Sequence, residues 1–195
     1  RLCFEVLHTA RELFYPVECH LIDLCLLIPR LADEHLSKTL LTLKPLNVLL
    51  NGHDLDTIAA EHPAEMSLLR EAVERGSVTV VGGERLELPL PLLPIGSIVW
   101  QLRRGREAYS KYLQQPARIW GRRRFGVFPQ FPQILKRFGF DAAMHVVLDD
   151  GIYPDHEYSK IRWEGCDGST VEAITRIPLA ADTATSFLRF PTRMA

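Results

Sequence analysis

Strand-like and helix-like segments alternate along the chain from residue 46 onward, and this alternation constrains the fold more than any other feature of the sequence. Short apolar runs rich in β-branched residues are typical of buried strands, and longer segments between them repeat apolar residues at helical spacing. The patterns predict strands over 46–50, 77–81, 117–120 and 142–148 and helices over 54–75, 98–113 and 132–138. This order predicts an α/β fold with a parallel sheet, either an open doubly wound sheet or part of a barrel.

The N-terminal third has a mixed apolar period, which allows a helix over 4–14, a buried strand or helix over 21–28 and a helix over 33–43. With 195 residues, the chain is expected to form a single domain. It begins with Arg1 rather than Met and stops at Ala195 after a proline-containing stretch. We therefore expect an excerpt from a longer protein.

Composition and charge exclude several classes of protein. The chain is 47% hydrophobic and 24% charged, which is ordinary for a globular domain and excludes disordered and collagen-like chains. Its 23 basic residues balance 24 acidic ones, so net charge indicates neither nucleic acid nor a membrane as partner. No apolar run approaches the roughly 18 residues that a membrane helix needs. The four cysteines lack paired CxxC spacing, and we expect reduced, buried thiols in a cytoplasmic protein.

In parallel α/β folds the reactive groups lie on loops that leave the carboxyl ends of the strands. The sequence predicts such exits at 51–56, 82–94, 120–132 and 149–155. Glu84 and Glu87 follow the glycine pair that ends the second predicted strand. A carboxylate there can accept hydrogen bonds from sugar hydroxyls or transfer protons. The alternative is that both are solvated charges of the loop. Asp149 and Asp150 either point into a site or cap the following turn.

One possible metal site consists of His53, Asp54 and Asp56, whose side chains are of the types that bind metal ions. Helix capping explains these aspartates more simply. The three tryptophans, Trp100, Trp120 and Trp163, are candidate stacking platforms for sugar rings, with core packing favoured for Trp100.

Basic side chains are concentrated in the second half of the chain. Those on the helix over 98–113 are expected to form a solvated surface. Arg122, Arg123 and Arg124 instead leave a strand end, where a guanidinium can bind phosphate, sulfate or carboxylate. Stacking of nucleic acid on the interleaved aromatic residues is the alternative, but no known binding module accompanies them.

Three stretches, 80–94, 120–136 and 163–169, resemble in matching order the N-terminal catalytic domain of glycoside hydrolase family 38, the α-mannosidases. The first also resembles glycoside hydrolase family 57. The resemblance covers about 46–177 and implies a (β/α)7-type barrel, partial in this chain, and a retaining α-mannosidase that uses bound zinc.

The match departs from the family at the residues that perform its chemistry. Arg123 stands where the resemblance implies the nucleophilic, zinc-binding aspartate, and an always-protonated guanidinium serves neither purpose. The family's zinc-binding His-x-Asp is not found, because His8 is followed by Thr9 and Ala10. Arg85 replaces an aromatic residue, whereas Glu87 and Trp163 match.

These observations lead to two hypotheses about function. The first is hydrolysis of α-mannosidic bonds, with Asp149 and Asp150 as candidate catalytic residues and no metal ligand visible in this chain. The second is a non-catalytic descendant that binds acidic or phosphorylated sugars through Arg85 and Arg123. In both, the partner is a carbohydrate, and the expected contact residues are Glu87, Arg85, Trp120, Arg123 and Trp163.

Overall fold

The computed structural model describes residues 5–6, 9, 26–27, 36–42, 45–124, 126–144 and 160–174. Seven strands lie in these ranges: β1 (Leu26–Leu27), β2 (Leu46–Leu50), β3 (Val78–Gly82), β4 (Ile119–Trp120), β5 (Ala142–Met144), β6 (Lys160–Glu164) and β7 (Thr170–Ile174). The helices are α1 (Leu36–Thr42), α2 (Gly52–Glu61), α3 (Pro63–Glu74), α4 (Ile95–Leu113) and α5 (Phe131–Arg137), with a 3-10 helix at Leu90–Leu92.

The strands form one sheet in the order β1-β2-β3-β4-β5-β7-β6. Every neighbouring pair is parallel except β6 and β7, which form an antiparallel hairpin at one edge. The predicted α/β class with a mostly parallel sheet is confirmed. Within the described ranges, no helix has the length and apolarity needed to cross a lipid bilayer.

Two local features differ from the sequence prediction. The helix predicted over 54–75 is two helices, because Pro63 has no backbone N–H and disfavours helical geometry in the preceding residue. His62 accordingly adopts φ −134° and ψ 62° between α2 and α3. The hairpin of β6 and β7 was not predicted, although its turn contains Asp167 and Gly168, and Gly168 has φ +77°.

The two faces of the sheet are packed differently. The buried apolar side chains of α1 to α5 form one large cluster with Val48, Leu50 and Val80. Leu49, Val81 and Met144 point to the opposite face, where they form a separate small cluster of strand residues. Because side chains alternate along a strand, this split means that the described helices cover one face.

Helix α4 packs closely against the segment that leaves β3. A Cβ atom added to Gly105 would lie 2.0 Å from the carbonyl oxygen of Gly83 and 2.7 Å from the carbonyl carbon of Glu84. Both neighbours are backbone atoms, which cannot move aside cheaply. The missing side chain at Gly105 therefore permits this contact.

We predict that Gly105→Ala lowers the free energy of unfolding by about 1–3 kcal/mol, because overpacking outweighs the higher helix propensity of alanine. Urea denaturation followed by circular dichroism measures the change. Gly96→Ala is the matched control in the same helix, since its Cβ would meet nothing within 4 Å. Stabilisation by both substitutions would contradict the close contact.

Candidate functional site

The loop after β3 and the segment after β4 meet at the carboxyl edge of the sheet. The two strands are parallel neighbours, with Gly82 opposite Trp120. Residues 83–88 and 121–124 therefore leave the sheet on the same side, which is where ligand sites of parallel α/β folds lie.

The first turn of α2 binds the loop after β3. The backbone N–H of Gly52 donates to the carbonyl of Glu84 at 2.8 Å, and that of His53 donates to the carbonyl of Arg85 at 3.0 Å. Asn51 caps the helix, and Asp54 completes a capping box by accepting the Asn51 N–H at 3.0 Å. The sequence named Asp54 or Asp56 as the cap, whereas the N-cap is Asn51 and Asp54 takes part in capping from the third position of the helix.

Helix α4 binds the same loop from the other side. The Gln101 side chain accepts the backbone N–H of Leu86 at 3.0 Å. The buried Tyr109 hydroxyl accepts the N–H of Gly83 at 3.0 Å and donates to the carbonyl of Leu50. Burial raises the pKa of Tyr109, so its hydroxyl keeps the proton that it donates. Residues 83–86 of the loop after β3 are thus held between α2 and α4.

Asp56 has a different role from the capping and metal-binding ones considered above. It forms an ion pair with Arg85 and accepts a hydrogen bond from the Tyr112 hydroxyl at 2.7 Å. Burial would raise the pKa of Asp56, but the Tyr112 hydrogen bond and the Arg85 charge hold it below its usual value. In the part of the chain that the structure describes, no three His, Cys, Asp or Glu side chains are placed to hold a metal ion.

Glu84 and Arg122 form an ion pair inside the protein. Arg122 Nη1 lies 3.1 Å from Glu84 Oε1 and 3.0 Å from Oε2, and the side chains are only 1% and 3% exposed. Trp120 Nε1 also donates to Glu84 at 3.0 Å. These positions correct two expectations: Glu84 is not a solvated loop charge, and Arg122 does not offer its guanidinium to an external anion.

Burial raises the pKa of Glu84 to about 7, because desolvation of the carboxylate outweighs the opposing effects of the Arg122 charge and the Trp120 hydrogen bond. The guanidinium also packs tightly against the following chain, since a Cβ on Gly126 would lie 2.5 Å from Arg122 Nη1.

Glu87 is the half-buried carboxylate at this edge. Its Oε2 accepts the backbone N–H groups of Arg123 at 3.0 Å and Arg124 at 3.3 Å. Oε1 accepts no hydrogen bond within the ranges that the structure describes. Burial raises the pKa of Glu87, and the two backbone hydrogen bonds oppose that effect. The structure thus brings together two of the predicted contact residues, Glu87 and Arg123.

The tryptophans occupy positions other than those expected. Trp120 is 1% exposed, and its ring meets Phe131 at 4.9 Å and Trp163 at 6.1 Å between centroids. It belongs to the core and presents no free face to a sugar. Trp163 is half-buried beside it, whereas Trp100, expected in the core, is 50% exposed under the guanidinium of Arg104.

The remaining predicted residues fall into three groups. Asp149 and Asp150 lie outside the described residues. The arginines of α4 are exposed as predicted: Arg103, Arg104 and Arg106. Cys166, expected to be a buried thiol, is exposed in the hairpin turn.

The sequence interpretation missed the inward side chain of Arg122. A usable signal existed, because residues two apart in an extended chain point to the same side and Arg122 follows the apolar Trp120 at that interval. The basic composition of 122–124 concealed this alternation.

We predict that the free energy of unfolding falls by about 3 kcal/mol as the pH rises from 4.5 to 7. Between these pH values the unfolded Glu84 carboxyl ionises more completely than the native one, whose ion pair with Arg122 is fully charged only above a pH of about 7, so folding becomes less favourable with increasing pH. Urea denaturation across the range measures the slope. Glu84→Gln should remove most of this fall and leave the contribution of Glu87, whose pKa burial also raises, whereas the exposed Glu107→Gln should leave the fall unchanged. Parallel profiles for wild type and Glu84→Gln would refute the assignment.

Comparisons with solved structures give the same fold. The chain has a TM-score of 0.58 and 19% identity to an α-mannosidase from Enterococcus faecalis V583, covering 80% of this chain and 19% of that one. It has a TM-score of 0.55 and 18% identity to a 4-alpha-glucanotransferase from Thermococcus litoralis, covering 77% of this chain and 23% of that one. A glycosyl hydrolase family 38 protein from Enterococcus faecalis matches with a TM-score of 0.54 and 15% identity, covering 77% of this chain and 17% of that one. The chain thus spans about a fifth of each.

No curated protein matches the sequence. A family model does: that of the glycosyl hydrolases family 38 N-terminal domain matches residues 57–183, which is more than half of the chain and includes β3 to β7. The chain belongs to the glycosyl hydrolase family 38 N-terminal domain family.

Proposed function

We propose that this domain forms part of a glycoside hydrolase of the α-mannosidase type, and that the carboxyl edge of β3 and β4 contacts the sugar. The observation that carries the proposal is Glu87, a half-buried carboxylate whose Oε2 is anchored on two backbone N–H groups. The other oxygen, Oε1, makes no hydrogen bond to the described part of the chain and suits a sugar hydroxyl or the glycosidic oxygen. Family membership supports the reaction class.

The site belongs, in this proposal, to a partial (β/α)7-type barrel. A doubly wound sheet carries helices on both faces, whereas a barrel carries them on the outer face alone. The helices of the described ranges pack on one face, and the opposite cluster contains strand side chains such as Leu49 and Val81. This arrangement favours a barrel whose interior those strand residues fill.

Cleavage of a glycosidic bond normally needs two carboxyl groups, one to protonate the leaving oxygen and one to act as nucleophile or to activate water. Glu84 is unsuited because it lies buried in the ion pair with Arg122. Glu87, whose pKa is raised by burial, suits the acid or a hydroxyl contact. We propose that Asp149 or Asp150, which come after β5 in the sequence, supplies the second carboxyl group.

Zinc is implied by the family resemblance, but the described residues do not fit it. The position matching the zinc-binding aspartate is Arg123, which cannot coordinate a cation. No step of the proposed mechanism therefore runs through a metal held by these residues.

The test is hydrolysis of an aryl α-mannoside by the full-length protein. We expect Glu87→Gln to lower kcat/KM by about 100-fold, because the amide keeps the shape but loses the charge and the proton. Asp149→Asn or Asp150→Asn should abolish turnover. Asp141→Asn is the control, since Asp141 is exposed at the opposite, amino end of β5.

A second candidate function is recognition of a glycan without hydrolysis, and Arg123 favours it. A permanent cation at the position of the family nucleophile would repel the positively charged transition state. Binding of mannosides without turnover, weakened by Arg123→Ala, would establish this alternative and refute hydrolysis. Neither turnover nor sugar binding would refute both.

A further inference from the structure

Two reciprocal side-chain contacts join the loop after β3 to the segment after β4. From the β4 side, Arg122 reaches back, with Nη1 on the Glu84 carboxylate and Nη2 donating to the carbonyl of Leu88 at 2.6 Å. From the β3 side, Glu87 reaches forward to the N–H groups of Arg123 and Arg124. The two anchor points of Arg122, at 84 and 88, flank Glu87 in the sequence.

Stability alone does not account for this arrangement. Burying a guanidinium and a carboxylate costs desolvation energy that their attraction barely repays, so a buried ion pair is a weak source of stability. Arg122 Nε is buried and has no hydrogen-bond partner in the described part of the chain, which adds a further cost. A planar guanidinium does, however, fix the direction of two acceptors at once.

We propose that Arg122 is a positioning residue: its bonds to Glu84 and Leu88 hold the loop so that Glu87 keeps its bonds to the segment after β4 and leaves Oε1 for a ligand hydroxyl. The part concerning a ligand rests on the proposed carbohydrate site. The part concerning geometry does not.

The contacts explain why Arg122 controls Glu87. Glu87 lies between the two residues that the guanidinium holds, and its own acceptor, the backbone of Arg123, is covalently next to Arg122. Loss of the guanidinium therefore loosens both ends of the Glu87 contact. Lysine cannot replace it, because a single ammonium group cannot donate in two fixed directions along one plane.

The experiment measures amide hydrogen exchange at Arg123 and Arg124 and binding of methyl α-D-mannoside by calorimetry, using the full-length protein. We expect Arg122→Met to speed exchange at these two amides at least tenfold and to weaken binding at least tenfold. Arg122→Lys keeps the positive charge but not the two fixed donor directions, so it should speed exchange and weaken binding by smaller factors than Arg122→Met. Arg103→Met, an exposed arginine of α4, is the matched control and should change neither.

The double variant Glu84→Gln with Arg122→Met separates positioning from charge compensation. Arg122→Met alone leaves the Glu84 charge buried without its partner and should lower the Tm. The double variant has no unpaired buried charge, so its Tm should return towards the wild-type value. Exchange at Arg123 and Arg124 should stay fast and binding weak, because nothing replaces the donor to Leu88. This variant also carries the test if Arg122→Met does not fold.

Two results would overturn the positioning role. The first is exchange in Arg122→Met at the wild-type rate at these two amides. The second is a double variant in which both the Tm and the protection of these amides return to wild-type values. If the wild-type protein binds no mannoside, the carbohydrate proposal fails on that arm. The exchange measurements still decide the role of Arg122.

Discussion

The site at the carboxyl edge of β3 and β4 is built around the buried contact between Arg122 and Glu84. It joins loops from two neighbouring parallel strands, and its guanidinium packs so closely on Gly126 that a side chain there would collide with it. The indole of Trp120 donates to the same carboxylate. A cation placed inside the protein in this way needs fixed partners, and the partners fix the loops that carry Glu87 and Arg123.

The three consecutive arginines show how one charge pattern can serve three environments. Arg122 is buried, Arg123 is half-buried beside Glu87, and Arg124 is exposed. Their backbone and side-chain groups contribute differently: the guanidinium of the first binds Glu84, while the N–H groups of the other two bind Glu87. A patch inferred from composition is therefore resolved into an internal anchor and two main-chain donors.

This local chemistry lies within the part of the chain that the family model matches. Family 38 membership rests on residues 57–183, which include both loops. The sequence resemblance implies that Arg123 stands at the position of the family nucleophile, and this remains part of the proposed function. The fold agrees with that of the similar solved structures.

Local periodicity alone determined much of the architecture. The short apolar runs of β2 and β3 are typical of strands buried in a parallel sheet, and the apolar residues of α4 recur at the helical repeat, so local patterns specify these elements. The carboxyl ends of parallel strands lie at one edge of a sheet, so the sequence also predicted Glu87 and Arg123 at that edge, whereas the strand order came from the tertiary structure. Only the tertiary structure decided that Arg122 and Trp120 lie inside, that Asp56 pairs with Arg85, and that Glu84 is buried. Those outcomes depend on contacts between residues up to 38 positions apart, and sequence periodicity carries no information about such distances.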